Sequence, residues 1–209
     1  MLLFFGSALF LTVRLVLAEA QFRAHPMPDP EPAARTSFWI NAASLASYGS
    51  SPNQLRVAVA LNPRLSSAWI SLGLDAEAKG NLPDAEMDLL HAAQVDHLYL
   101  PAWTLTNFYF RRGAAEDFWL WARRAAALTF DDYRPLLRLA DALESSPRVV
   151  AARLAGGAPL LRAYLDLLIG LGRLDSAQEV AGLLEACHDP SDQARLADFA
   201  ERRRSSRLP

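Results

Sequence analysis

The sequence predicts an all-α protein of stacked antiparallel helix hairpins, preceded by a hydrophobic helix at the N-terminus. Ala-Trp at 68–69 returns at 102–103, which is 34 residues later, and a glycine follows each pair within ten or eleven residues. No run of strand-like alternation bounded by turns occurs along the chain. One hairpin cannot bury its apolar faces alone, so a repeated hairpin predicts a stack of copies.

Composition and charge set the broad class of the protein. The chain has 209 residues, of which 52% are hydrophobic, and this is enough for a continuous core in one domain or one repeat array. A formal net charge of −2 gives no reason to expect a nucleic-acid partner. Cys187 is the only cysteine, which excludes an internal disulfide and a CxxC site.

The first twenty residues predict membrane targeting, either as an anchor or as a signal segment. Residues 1–13 are apolar and uncharged, Arg14 interrupts them, and Ala18-Glu19-Ala20 has the small-x-small form of a signal peptidase site. No basic region precedes the apolar run, and residues 2–18 lie at the short end of a spanning helix. A core helix is the alternative. Residues 21–34 are rich in proline and predict an extended linker.

The unit at 66–99 shows how one hairpin is encoded. Apolar residues at helical spacing end at Gly80, which suits a left-handed helix end, and Pro83 opens a second helix where its missing N–H costs nothing. Small residues allow the two helices to approach closely, and large ones fill the space between them. The small set is Gly73, Ala85 and Ala92, and the large set is Trp69, Leu72 and Leu89.

Similar units extend over residues 35–190, with the best ones at 66–99, 100–132 and 158–190. Residues 55–63 predict the second helix of a preceding unit, whose first helix is expected within 36–48. Two short helices are predicted after residue 132, the second capped at Ser146-Pro147 and ended by Gly156-Gly157. Residues 191–209 predict a polar capping helix with a basic tail.

The W-x2-L-G-x2-A spacing at 69–76, with Gly80, Ala85, Leu89 and Ala92, resembles the tetratricopeptide repeat (TPR). The chain departs from that pattern at Ala76, where the family has an aromatic residue, and at His97, where it has proline. The resemblance implies a right-handed α-solenoid that is a scaffold and not an enzyme, with a protein or peptide segment bound in a concave groove. The groove positions it implies are Ile70, Leu74, Glu77, Thr104, Phe108, Arg111, Arg112, Arg162 and Asp166. An apolar strip beside arginines favours a partner segment with apolar and acidic residues.

Candidate chemical groups give no catalytic, metal or cofactor site. His91 and His97 have no partner at ligand spacing, and Cys187-His188-Asp189 are adjacent residues that point different ways, with Cys187 expected in the core. No phosphate-binding glycine loop occurs. The acidic residues Asp75, Glu77, Asp84, Glu86 and Asp88 are interpreted as the solvated face of a hairpin.

The five tryptophans are expected to divide between core and surface. Trp69 and Trp103 match the packing position of the repeat and are predicted to be core residues. Trp119 and Trp121 are two apart on one helix, so we expect one of them at the surface, where it could anchor a partner. Packing of both within the chain is the alternative.

These observations favour a non-catalytic TPR adaptor that mediates protein–protein interaction at the bacterial cell envelope. The expected location is the inner membrane, attached through residues 1–18, with the repeats facing the periplasm; attachment at the cytoplasmic face is the alternative. A different class of protein also fits, the soluble TPR tail of a larger membrane enzyme such as a glycan polymerase or ligase with a misplaced start. Neither a nucleic acid nor a small-molecule substrate is expected.

Overall fold

The computed structural model describes Phe10, Thr12, Val13, Val16 and residues 51–129 and 132–205. Within these residues all regular elements are helical, and the chain forms two compact units, Met1–Thr104 and Leu105–Pro209. After residue 50 the helices are α1 Pro52–Leu61, α2 Ser66–Ala78, α3 Leu82–Val95, α4 Tyr99–Arg112, α5 Ala115–Leu128, α6 Arg134–Leu143, α7 Pro147–Leu154, α8 Gly157–Gly170, α9 Leu174–Glu185 and α10 Gln193–Ser205, with a 3-10 turn at Pro190–Asp192 before α10. The first unit ends and the second begins within α4.

In the first unit, α1 packs against α2 and α2 against α3. α1 begins after Ser51, whose hydroxyl accepts the backbone N–H of Gln54 at 3.3 Å and so satisfies one donor of the first turn. The α1–α2 contact buries a small apolar cluster, with Trp69 packed half-buried at its edge. The cluster consists of Leu55, Ala58, Val59, Ala68 and Leu72.

α2 and α3 form the antiparallel hairpin predicted at 66–99. The Ser66 hydroxyl at the start of α2 donates to the Asp96 carboxylate just after α3, at 2.6 Å, so the free ends of the hairpin are joined. Midway along, a Cβ atom built on Gly73 would lie 2.7 Å from Cγ of Leu89 and 3.1 Å from the carbonyl oxygen of Ala85. A side chain at position 73 would therefore clash with Leu89 and crowd the Ala85 carbonyl.

The same glycine turn ends α2, α4 and α8. Gly80, Gly113 and Gly172 have φ of 78°, 67° and 70°, in the left-handed region. In each turn the residue after the glycine donates its N–H to the carbonyl five residues earlier, with N–O distances of 2.9, 3.1 and 2.9 Å. This bond satisfies a carbonyl that the last helical turn leaves unpaired. One local structure therefore recurs in both units, as the sequence period predicts.

The second unit continues with helices that pack on their neighbours. α5 packs on α6 and α7, α6 on α8, and α7 and α8 on α9. α7 ends one residue before the predicted glycines, because Ala155 takes the left-handed conformation at φ 52°. Ser146 precedes α7, but its side chain makes no capping hydrogen bond.

A polar network lies inside this unit. The buried Tyr164 of α8 donates its hydroxyl proton to Asp141 of α6 at 2.7 Å, and the same carboxylate accepts from Arg173. Burial, followed by the hydrogen bond to Asp141, raises the pKa of Tyr164 well above its usual value. The hydroxyl therefore remains a donor at physiological pH and ties α8 to α6.

The predicted helical repeat is confirmed as an all-helical arrangement of adjacent packed helices within the described residues. The linker at 21–34 and the helix expected within 36–48 lie outside them, as does most of the segment at 1–20. No helix among the described residues is long and apolar enough to cross a membrane. α10 and the 3-10 turn occupy the place of the predicted capping segment, and Phe199 is the buried residue of α10.

We expect Gly73→Ala to destabilise the protein, although alanine has the higher helix propensity. The propensity gain of about 1 kcal/mol is outweighed by overpacking against Leu89 and the Ala85 carbonyl, which costs about 1–3 kcal/mol. Urea unfolding followed by circular dichroism measures the difference. Gly182→Ala is the matched control, because nothing lies within 4 Å of a Cβ atom there, and it should stabilise the protein. Equal or greater stability of Gly73→Ala than of the parent would contradict the close contact.

Candidate functional site

The outer face of α2 carries the groove positions predicted for the first unit. Leu74 is 42% exposed, which is unusual for a leucine in the middle of a packed helix, and Glu77 lies one turn further on, half-buried. Ile70, one turn earlier, is buried. Leu74 therefore remains available to a partner, whereas Ile70 packs within the unit.

Two predicted groove residues of α4 belong to the interior. Thr104 is buried, and its hydroxyl donates to the carbonyl of Leu100 at 2.9 Å. Phe108 is completely buried, with the guanidinium of Arg112 5.5 Å from its ring centroid. Their assignment to an open groove is wrong, because both side chains are used in packing. Arg111 and Arg112 are exposed in the last turn of α4, where positive charge complements the helix end.

The predicted groove residues of α8 contact the capping segment of the chain. Arg162 donates to Asp192 at 2.6 Å and to Asp189 at 2.5 Å, and Asp166 accepts from Arg195 of α10 at 2.6 Å. Hydrogen bonds from Ser191, together with Arg162, hold the pKa of Asp189 below its usual value. Arg162 and Asp166 are therefore already engaged in ion pairs within the chain, although the Asp166 side chain remains 54% exposed.

The opposite side of α2 faces a cleft that the sequence did not predict. The cleft lies between α1 and α3, with α2 as its floor, and its volume is about 570 Å³. The side chain of Met87 is exposed at its edge. Its walls combine apolar, aromatic and charged side chains. They are Arg56, Val59, Ala60, Pro63, Trp69, Leu72, Asp75, Ala76, Lys79, Asn81, Asp84, Met87, Asp88 and His91.

The charges of this cleft are unevenly paired. Asp75 accepts from Lys79 at 2.6 Å, and Asp84 accepts from the side chain of Asn81 at 2.6 Å. In the described part of the chain no donor forms a hydrogen bond with the carboxylate of Asp88. Burial, and then the negative charge of Asp84, raises the pKa of Asp88, while Arg56 and His91 oppose this. The three carboxylates were interpreted as a solvated face, and the structure places them around a cleft instead.

Trp69 and His91 form the aromatic end of the cleft. Their ring centroids are 4.3 Å apart with the planes tilted by 56°, and the indole Nε1–H donates to the carbonyl of Pro63 at 2.8 Å. Trp69 is half-buried and not a full core residue as predicted, because one side of its environment is the open cleft. Nε2 of His91 is buried and has no hydrogen-bond partner among the described residues.

Ala76 is a small residue in the lining of the cleft. Ala76 and Phe110 are 34 residues apart and hold equivalent positions in consecutive units. Phe110 packs its ring 5.9 Å from that of Phe118, whereas an alanine at position 76 fills less of the space beside α2. The departure of Ala76 from the repeat pattern was visible in the sequence, and it is the signal that could have predicted the cleft.

Cys187, His188 and Asp189 bond to separate partners and not to one another. The sulfur of Cys187 lies 3.5 Å from the Leu183 carbonyl, and Nδ1 of His188 lies 2.7 Å from that of Ala186. Cys187 is exposed, so its predicted place in the core is wrong. Among the described residues no group of three or more His, Cys, Asp or Glu side chains could hold a metal ion.

Trp119 and Trp121 are both buried, each only 7% exposed, so the expectation of one surface tryptophan is wrong. They lie on different faces of α5, which packs against both α6 and α7. Arg153 of α7 lies 5.4 Å from the Trp119 ring centroid, and Arg124 lies 4.4 Å from that of Trp121. Cation–π contacts of this kind cover the rings that the helices leave accessible.

The chain matches no protein-family model, no curated protein and no solved structure.

We expect Trp119→Ala and Trp121→Ala each to lower the free energy of unfolding by about 3–5 kcal/mol, the usual cost of removing a buried aromatic side chain. Leu120→Ala is the control between them. Leu120 is exposed, so its truncation should change stability by no more than about 0.5 kcal/mol. Chemical unfolding of the three variants tests this, and a loss at either tryptophan as small as that at Leu120 would contradict the burial of both rings.

Proposed function

We propose that this protein is a non-catalytic TPR-like adaptor, a right-handed helical solenoid that binds a segment of another protein. The observation that carries the proposal is the outer face of α2, which presents Leu74 to solvent from a helix held rigidly against α3. An exposed apolar side chain on a rigid helix offers a partner a fixed contact.

The recurring glycine turn supports the repeat architecture. Gly80 and Gly113 are 33 residues apart and end α2 and α4 with the same hydrogen bond. Repeats of this length present their first helices side by side, and this arrangement makes an extended surface suited to a peptide segment.

The exposed charges indicate the chemistry of the partner. Leu74 offers an apolar contact on α2, and Arg111 and Arg112 separately carry two positive charges at the end of α4. Apolar residues of a partner segment complement the first contact, and acidic residues complement the second. Because Arg112 also lies over the buried Phe108 ring, it has a packing role besides its charge.

Leu74→Glu should abolish partner binding without unfolding the protein, because the side chain is exposed and its replacement buries no charge. Photo-crosslinking from position 74 in cells identifies the partner, and binding of the purified partner is then measured for the parent and the variant. Leu171→Glu is the control, since Leu171 is also exposed but lies after α8. Undiminished affinity of Leu74→Glu for the crosslinked partner would show that the α2 face is not the binding surface.

We also propose that residues 1–18 attach the protein to the inner membrane with the repeats in the periplasm. Phe10, Val13 and Val16 are helical, and their apolar side chains are 60%, 48% and 62% exposed. Three such residues at helical spacing favour contact with lipid over contact with water. The periplasmic orientation of the repeats is based on Ala18-Glu19-Ala20, which has the form of a signal peptidase site. The arginines at 14 and 23 favour the opposite orientation, with the repeats in the cytoplasm.

We expect the full-length chain in the membrane fraction and degraded when protease is added to spheroplasts. Deletion of residues 1–20 should move it to the cytosolic fraction, which provides the control. Recovery of the full-length chain in the cytosol would end the membrane proposal. Membrane recovery with resistance to protease would place the repeats on the cytoplasmic side instead.

A further inference from the structure

We propose that the cleft between α1 and α3 is a second binding site, which takes an arginine side chain from a protein segment with apolar neighbours. The site lies on the side of α2 away from Leu74, so it is distinct from the surface of the proposed adaptor function. Its volume of about 570 Å³ falls within the range of pockets that hold ligands.

The charge balance of the cleft favours a cation. Its lining has three carboxylates and two cationic side chains. Lys79 is paired with Asp75, and the guanidinium of Arg56 donates to the side chain of Asn53 at 3.2 Å. Asp84 and Asp88 remain, one helical turn apart on α3, and neither forms an ion pair in the described part of the chain. A guest cation placed between them would neutralise two like charges that now repel each other.

The aromatic wall favours an organic cation over a metal ion. The Trp69 ring borders the cleft, and its indole N–H is fixed by the Pro63 carbonyl. A guanidinium both stacks on an aromatic ring and donates to two carboxylate groups, whereas an ammonium is a compact, strongly hydrated charge. No group of three ligands for a metal ion is present among the described residues.

The apolar lining indicates that the cation belongs to a protein segment. Met87, which is exposed, offers surface to an apolar side chain next to the arginine, and the largely buried Val59 and Leu72 also line the cleft. Free guanidinium or a polyamine would leave this surface uncovered. Methionine is well suited to such contacts, because its flexible thioether adapts to irregular apolar groups.

Substitution of Ala76 tests the proposal, because a larger side chain at this position would fill the cleft. Phenylalanine stands at the equivalent position of the next unit, as Phe110, so Ala76→Phe introduces a side chain that this repeat already accommodates. The ring would occupy the space between α1 and α3 and exclude the guest. Asp88→Asn removes the unpaired charge with almost no change of shape, and it serves as the second variant if Ala76→Phe folds poorly.

The test is fluorescence anisotropy with the full-length chain and the labelled peptide Gly-Ser-Leu-Arg-Leu-Ser-Gly. Citrulline in place of arginine keeps the shape of the side chain and removes its charge, so this peptide should bind at least about tenfold more weakly. Asp88→Asn and Ala76→Phe should each weaken binding of the arginine peptide by about fivefold or more. Glu201→Gln removes a carboxylate on α10 that is not part of the cleft lining, and it should leave the affinity unchanged.

Three results would overturn the proposal. They are no binding of the arginine peptide up to about 1 mM, equal affinity for the citrulline peptide, and unchanged affinity of both cleft variants. Leu74→Glu separates this site from the adaptor surface, because it should not change binding of the arginine peptide. Failure of position 74 to crosslink a partner would therefore count against the adaptor function and leave the arginine site standing.

Discussion

The close contact of α2 and α3 at Gly73 determines what each side of α2 does. With the α2 backbone against Leu89 and the Ala85 carbonyl, the helix cannot rotate or move outward without losing that contact. Leu72 then points to α1, and Leu74 points to solvent. The apolar anchor and the charged cleft are thus placed on opposite sides of one helix by a single steric constraint.

Local features of this fold are well predicted by the sequence. The glycine turns at Gly80, Gly113 and Gly172 follow from a conformational preference that each glycine has on its own, and the adjacent hydrogen bond requires only the preceding helix. Ala155 shows the limit of such reasoning. Because alanine rarely adopts the left-handed conformation, the sequence predicts the helix end at Gly156-Gly157. In the structure the left-handed residue after the helix is Ala155.

Burial was predicted poorly because it depends on what packs around a helix. Trp119 and Trp121 lie on different faces, which predicts one exposed ring only if one face of α5 is open. α6 and α7 both pack on α5, and Arg153 lies over a ring, so that premise fails. For the same reason, the ion pairs of Arg162 with Asp189 and Asp192 could not be predicted from α8 alone. The covering residues are distant in sequence from those they cover, so periodicity along one helix gives no information about them.

The acidic residues of the first hairpin illustrate how spacing and environment combine. Asp75 and Lys79 are four residues apart with opposite charges and form an ion pair, which contributes about 0.2–0.5 kcal/mol in an exposed helix. Asp84 and Asp88 have the same spacing but like charges, and their repulsion destabilises the helix by a similar free energy. On a fully solvated face that cost would be screened by water and salt. Beside the cleft, partial burial of the Asp88 carboxylate, and then the negative charge of Asp84, raises the pKa of Asp88. A cation bound in the cleft would be attracted by both Asp84 and Asp88, so the two carboxylates that repel each other in the free protein would share one partner.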